Sequence, residues 1–282
     1  MSETIEQFRL QERPNYIPQA NEENVFRVAC DSHIPLIIKG PTGCGKTRFI
    51  EHMAWDLQRP LITVSCHEDL TAADLVGRFH FKDNETVWQD GPLTLAVRHG
   101  GICYLDEIVE ARKDTTVIIH SLTDDRRILY VDKTGEVIRA HPDFMMVLSY
   151  NPGYQSIVKD LKHSTKQRFA SLAFDNPDIP VETEIIKTET GLDAETSAKL
   201  AEMGEKIREL KGFGLDEGVS SRLLVYAGRL IKQGLDPCTA CNHAICHTLT
   251  DETEVTESID SIVKLFFGDL MEAPDDAQPR TD

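Results

Sequence analysis

The stretch that most constrains this chain is Leu36-Ile37-Ile38-Lys39-Gly40-Pro41-Thr42-Gly43-Cys44-Gly45-Lys46-Thr47, an apolar run passing directly into G-x-x-x-x-G-K-T. A loop of this spacing, set between a buried strand and a helix, wraps its backbone around a polyphosphate. Glycines allow the close approach, and the loop N–H groups with the following helix N-terminus face the anionic oxygens. Gly40, Pro41, Thr42, Gly43, Cys44 and Gly45 form the predicted cradle; Lys46 neutralises the outer phosphates, and Thr47 offers a hydroxyl to Mg²⁺. The flanks meet the condition that gives the motif its meaning, strand before and helix after.

The next segments build a sheet around that loop. Lys46 to Leu57 reads as a helix stopped by Arg59-Pro60, and Leu61 to Ser65 reads as a buried strand, which completes a βαβ unit. About 60 residues beyond the cradle, Ile102-Cys103-Tyr104-Leu105-Asp106-Glu107 is an apolar strand ending in two carboxylates. Ligands of open parallel sheets sit at the carboxyl ends of strands, so Asp106 is expected beside the cradle. It would hold Mg²⁺ directly or through water, while Glu107 would polarise the water that attacks the γ-phosphate. Phe144 to Ser149 is a further buried strand ending in Tyr150-Asn151-Pro152. The Asn151 amide can hydrogen-bond the attacking water or the γ-phosphate; the plain alternative is an Asn-Pro turn. Ser171 to Phe174 reads as a fifth strand, with Arg168 just before it.

Around this core the chain reads as four parts. Residues 1–14 are a polar arm. Residues 15–178 are the α/β core, opening on Tyr16 and Ile17, which either wall the adenine or simply pack the lead-in, and a helix over Glu22 to Asp31. Two hairpins interrupt the core. The first joins Val76 to Phe81 with Thr86 to Gln89 across Asp83-Asn84, after a helix start at Thr71, and the second joins Arg127 to Val131 with Glu136 to Arg139. A helix is expected from Asp114 to Thr123. Beyond Asn176-Pro177 strand signals stop, and residues 179–271 read as helices at Glu182 to Thr190, Ala194 to Leu210, Ser220 to Gln233, Pro237 to Thr248 and Glu254 to Met271. Residues 272–282 are an acidic tail without a packing signal.

Composition narrows the function classes. Acidic residues outnumber basic ones 47 to 30, so the whole-protein field repels nucleic acid and a DNA-handling role is disfavoured. No apolar run reaches the roughly 18 residues of a membrane span, and the polar N-terminus carries no signal-peptide core, so a cytoplasmic location is expected. Seven scattered cysteines fit reduced thiols. Cys238 and Cys241 form a C-x-x-C but lack a distant second pair, and Cys241, Ala244 and Ile245 fit one apolar helix face better than a zinc site.

The order of cradle, Asp106-Glu107, Asn151 and Arg168, followed by Gly218-Val219-Ser220-Ser221-Arg222, resembles the Walker A, Walker B, sensor 1, arginine finger and sensor 2 series of AAA+ ATPases. The two hairpins resemble the branch containing MoxR proteins and magnesium chelatases. Within it, Gly40 to Thr47, Trp88-Gln89-Asp90-Gly91-Pro92-Leu93, Tyr104 to Glu107 and Ser164-Thr165-Lys166-Gln167-Arg168-Phe169 are similar to the CbbQ/NirQ/NorQ subfamily over roughly residues 14 to 270. The resemblance implies a five-stranded parallel P-loop core with two inserted hairpins and a C-terminal helical lid. It also implies ATP and Mg²⁺ as ligands, and a homo-hexameric ring working with an adaptor that carries a von Willebrand factor A (VWA) domain. That adaptor is CbbO-like when the client is Rubisco, the CbbQ type this chain most resembles, and NorD-like when the client is nitric oxide reductase. By the same resemblance Arg168 would reach a neighbour's γ-phosphate and Arg222 would sense nucleotide in its own subunit. The alternatives are a surface arginine at position 168 and a plain helix-start arginine at position 222. Arg126 and Arg127 are rivals for the finger whose spacing fits the second hairpin better. Phe79, Phe81 and Trp88 either grip a partner or pack the first hairpin onto the core.

Overall fold

Alternating side chains along the strands divide the core into two apolar layers, one on each face of a single parallel sheet. In this computed structural model, residues 3–152, 161–212, 214–215 and 217–268 are described. The expected acidic tail at 272–282 and Met271 lie outside them. The chain separates into two compact units, Met1–Asp175 and Asn176–Asp282, against the boundary at residue 178 expected from sequence.

The first unit runs α1 (Glu3–Glu6), α2 (Glu22–Asp31), β1 (Leu36–Lys39), α3 (Lys46–Asp56), β2 (Leu61–Ser65), α4 (Ala72–Val76), β3 (Gly77–Lys82), β4 (Glu85–Asp90), α5 (Pro92–His99) and β5 (Ile102–Asp106). It continues through α6 (Lys113–Ile118), β6 (Ile128–Val131), β7 (Glu136–Arg139), β8 (Met145–Tyr150), α7 (His163–Lys166) and β9 (Ala170–Ala173). Strands β2-β5-β8-β1-β9 form, in that order, a five-stranded sheet with parallel neighbours throughout. Leu36, Ile38, Ile102, Tyr104, Met145 and Val147 pack on the α2 and α3 side with Phe26, Phe49, Ile50 and Met53. Ile37, Cys103, Leu105, Met146 and Leu148 pack on the other face with Leu93 and Val97 of α5. A sheet buried on both faces demands the near-continuous apolar strands seen in the sequence.

Both hairpins are present. Asp83 and Asn84 take φ of 52° and 67°, the left-handed pair of a tight two-residue turn, so β3 and β4 pair from Lys82↔Glu85 to Gly77↔Asp90. Thr71 caps α4 in a reciprocal capping box with Asp74. On the first hairpin Phe81 is 75% exposed and Phe79 48%, while the half-buried Trp88 packs edge-on to Phe79 at 5.1 Å and against the core. Arg98 of α5 links the two inserts: its guanidinium donates to Asp90 at the end of β4 (3.0 Å) and to both carboxylate oxygens of Glu136 on β7 (2.7 and 2.9 Å). The helix expected over residues 114–123 is shorter, passing after Ile118 into a 3₁₀ turn at Ile119–Ser121.

The second unit is helical among its described residues: α8 (Ile179–Thr190), α9 (Ala194–Arg208), α10 (Ser221–Lys232), α11 (Pro237–Cys241), α12 (His247–Leu249) and α13 (Thr253–Phe267). A π-turn at Asn242–Cys246 joins α11 to α12. Cys238, Cys241, Ala244, Ile245 and Cys246 are all buried in this unit's core with Leu200, Leu224 and Ile259.

Candidate active site

The sheet order makes β5, β8 and β1 consecutive neighbours, so the loops leaving their carboxyl ends emerge together at one edge. Lys39 pairs with Tyr150 and Leu105 with Leu148, which sets Gly40 beside Asn151 and Asp106 beside Ser149. The Gly40 N–H donates to the Tyr150 carbonyl at 3.3 Å. A Cβ on Gly40 would lie 2.6 Å from the Phe174 carbonyl oxygen, so the loop passes the end of β9 too closely for a side chain. Gly45, at φ 99°, turns the chain into α3.

Within the loop, the Lys46 ammonium donates to the Gly40 and Pro41 carbonyls at 2.8 and 2.7 Å, holding its charge over the cradle. Cys44 is buried, and that burial pushes its thiol up. The Asn151 side chain, 9% exposed, donates from Nδ2 to Thr42 Oγ1 at 3.1 Å. The structure therefore brings the Asn151 amide to the cradle.

Asp106 and Glu107 differ sharply in setting. Asp106 is half-buried; Tyr104 Oη donates to its Oδ1 at 2.6 Å, and the Ser149 hydroxyl donates to the same oxygen. Tyr104 Oη also lies 3.0 Å from Ser149 Oγ and 3.5 Å from Thr47 Oγ1. Burial and the neighbouring carboxylate push the Tyr104 phenol far above its ordinary range, so it stays protonated. Glu107 is exposed and takes φ 55°, ψ 46°, a left-handed conformation that costs a non-glycine residue about 1–3 kcal/mol. Its N–H donates to Ser149 Oγ at 3.2 Å, one of the contacts that hold the turn. Sequence reasoning alone passes over Tyr104 and Ser149 as site residues. The signals available are a phenol inside an aliphatic strand two residues before Asp106, and a hydroxyl at the end of another.

Thr47 and Asp106 are hard oxygen donors of the kind that suit Mg²⁺, which keeps several waters and substrate phosphate oxygens among its ligands. Among the described residues there is no group of three or more His, Cys, Asp or Glu side chains placed to hold an ion by themselves. A magnesium shared with phosphates does not require one.

The remaining residues fall into four settings. Arg168 is half-buried after α7; its Nη1 donates to the His120 carbonyl at 3.1 Å and to Asp124 Oδ2 at 3.3 Å. Asp124 also accepts from Arg126, and those bonds, with Arg168, hold its carboxyl down at about 2. Arg127 belongs to the second hairpin, where its Nη2 donates to the carbonyls of His141 and Phe144 at 3.1 and 3.0 Å. The Tyr16 ring lies against Phe49 and His52 of α3, at 5.4 and 5.2 Å, and its hydroxyl donates to Glu22 at 2.6 Å, which gives it a packing role in the lead-in; Ile17 beside it is half-buried. Arg222 is exposed in the first turn of α10, in the second unit.

Comparisons with known proteins agree with this geometry. A family model described as AAA domain (dynein-related subfamily) matches residues 35–169, and one described as CbbQ/NirQ/NorQ C-terminal matches residues 182–266. The chain is 56% identical to protein CbbQ of Hydrogenophilus thermoluteolus, covering 93% of this chain and 98% of that one. It is 55% identical to protein NorQ of Paracoccus denitrificans, covering 90% and 94%, and 49% identical to the denitrification regulatory protein NirQ of Stutzerimonas stutzeri, covering 90% and 93%. Among solved structures, a mutant RuvB of Thermotoga maritima superposes with a TM-score of 0.55 at 15% identity, covering 90% of this chain and 73% of that one, a likeness of fold.

Proposed function

The chain belongs to the CbbQ/NirQ/NorQ family of MoxR-type AAA+ ATPases, and from that premise we propose that it is the motor subunit of a CbbQ-type Rubisco activase. In this reading a homo-hexameric ring, working with a CbbO-like VWA-domain adaptor, uses ATP hydrolysis to release inhibitory sugar phosphates from Rubisco. The likeness to CbbQ along nearly the whole chain supports it. A second reading, maturation of nitric oxide or nitrite reductase with a NorD-like adaptor, draws on an almost equal likeness to NorQ.

The chain is an ATP-hydrolysing enzyme, and phosphoryl transfer asks its residues mainly for positioning and charge compensation. The cradle N–H groups and Lys46 bind the phosphates. Glu107 takes the proton of the attacking water, and Asn151, anchored to Thr42, orients that water or the γ-phosphate. Thr47 and Asp106 would hold magnesium, which would supply charge compensation for the phosphates. Arg168 is proposed as the finger that reaches a neighbouring subunit's nucleotide, which requires it to leave Asp124 on assembly. Arg222 is proposed as the nucleotide sensor of the helical unit.

The deciding experiment gives sugar-phosphate-inhibited Rubisco the purified chain, its cognate VWA-domain protein and ATP. ATP-dependent recovery of carboxylation is expected. Failure there, with restored nitric oxide reductase activity when the chain complements a strain lacking its NorQ, would move the assignment to the second reading.

A further inference from the structure

We propose that the Tyr104 hydroxyl is a positioning group that orders both magnesium ligands, Thr47 and Asp106, through one directed chain of hydrogen bonds. The proposal rests on reading those two residues as the ligands.

The argument begins with strand alternation. Ile102, Tyr104 and Asp106 share the face of β5 that looks toward α3, whose first turn carries Thr47. Tyr104 is fully buried in the apolar layer on that face, where packing alone asks only for a ring, as phenylalanine would supply. The hydroxyl is therefore surplus to packing, and a buried hydroxyl is costly unless it is bonded.

Counting protons fixes the direction of each bond. An ionised carboxylate only accepts, so Tyr104 and Ser149 both donate to Asp106 Oδ1. Ser149 Oγ in turn accepts the Glu107 N–H. Tyr104 Oη, having given its one proton to Asp106, has lone pairs left to accept from Thr47 Oγ1, 3.5 Å away. A hydroxyl that ligates a cation must turn a lone pair to the metal and send its proton elsewhere; here Tyr104 Oη is an acceptor toward which that proton can turn. Two donors converging on Oδ1 also fix the carboxylate and leave Oδ2 as the oxygen with coordinating capacity. One side chain thus sets the rotor of one ligand and the plane of the other. Hydrogen-bond partners that orient metal ligands typically change metal affinity by about 10–100-fold when removed.

The test is equilibrium titration with a fluorescent ATP analogue, in excess chelator and in saturating magnesium, on the full-length chain. Tyr104→Phe should bind the metal-free nucleotide within about twofold of wild type, because the cradle is untouched. The factor by which magnesium tightens binding should fall about tenfold. Ser149→Ala, which removes the other donor to Asp106 but leaves the partner of Thr47, should lower that factor less. An unchanged magnesium factor in Tyr104→Phe, or a loss in Ser149→Ala as large as in Tyr104→Phe, would overturn the proposal. Metal-free binding certifies folding in the same titration; should Tyr104→Phe fail it, Tyr104→Met is judged by the same criterion. A wild-type chain whose nucleotide binding ignored magnesium would overturn the ligand reading itself, and the proposal with it.

Discussion

Cutting the Arg208 side chain back to methionine is expected to loosen the segment that presents Arg222, and the size of the effect is set by the groups Arg208 holds. Glu182 of α8 is 1% exposed, and its two carboxylate oxygens accept from Arg208 Nη1 and Nη2 at 2.8 and 2.6 Å. Ser221, at the start of α10, donates to the same carboxylate at 2.5 Å, and Arg208 Nε donates to the Val219 carbonyl at 2.8 Å. A Cβ on Gly218 would lie 2.9 Å from Arg208 Cγ, so the segment before α10 rests directly on the arginine stem. One buried ion pair therefore gathers α8, the end of α9 and the first turn of α10. Removing Arg208 alone leaves a buried carboxylate with only a hydroxyl, at a cost of about 3–5 kcal/mol. Replacing both members, Arg208→Met with Glu182→Gln, removes the stranded charge and should recover a substantial part of that loss, a non-additivity of about 0.5–3 kcal/mol. Hydrogen–deuterium exchange resolved to peptides of α8, α9 and α10 reads the change locally while β1 and β8 serve as the internal control. A loss below about 1 kcal/mol in Arg208→Met, or a double variant no better than the single, would refute the account of a buried, charge-paired clamp.

Glu107→Gln should bind ATP normally and hydrolyse it about 10²–10⁴-fold more slowly, since only the proton acceptor is lost; near-normal turnover in a phosphate-release assay would remove Glu107 from that role. If Arg168 is the finger proposed above, Arg168→Ala mixed with Lys46→Ala should recover part of the ATPase activity that neither variant has alone, because a mixed assembly would pair an intact cradle with an intact Arg168; no recovery counts against a role across subunits. Phe81→Ala, at an exposed hairpin position, should keep ATPase turnover within about twofold while lowering client remodelling, and equal remodelling by the variant would leave the aromatic without a partner role.

Legibility followed how local the deciding forces are. The three central strands, β1, β5 and β8, stand out because burial on both faces forces unbroken apolar runs, and the first hairpin stands out because Asp83-Asn84 tolerates the left-handed pair that its turn requires. The predicted helix over residues 114–123 overran because Thr115, Thr116, Val117, Ile118 and Ile119 are all β-branched, and such a run favours helix only weakly once tertiary contacts compete. The π-turn at Asn242–Cys246 was invisible for a different reason. One extra residue in a turn barely disturbs the apolar spacing, so Cys241, Ala244 and Ile245 still fall in the core as their periodicity required. What marks the turn is partly a contact between elements: Asn242 donates to Asp260 of α13 at 3.1 Å, and within the turn it accepts from the Cys246 thiol.

The same division runs through the site. Gly40 to Thr47 acts through contiguous backbone, so spacing alone identifies it, and Asp106, Glu107 and Asn151 are recoverable because strand ends of a parallel sheet converge whatever the intervening sequence. The groups that set their orientation obey no such rule. Ser149 reaches Asp106 from the neighbouring strand, Tyr104 reaches Thr47 across 57 positions, and Arg168 is held by Asp124 across 44. Each of these pairings depends on register between elements, and register is settled by the whole core rather than by any stretch of chain. Family motifs consequently name the residues at the strand ends, whereas the hydroxyls bonded to them emerge only once the strands are side by side. Thr47 and Asp106 come out of the motif; the contacts proposed to link them run through Tyr104, a residue the motif treats as apolar filler.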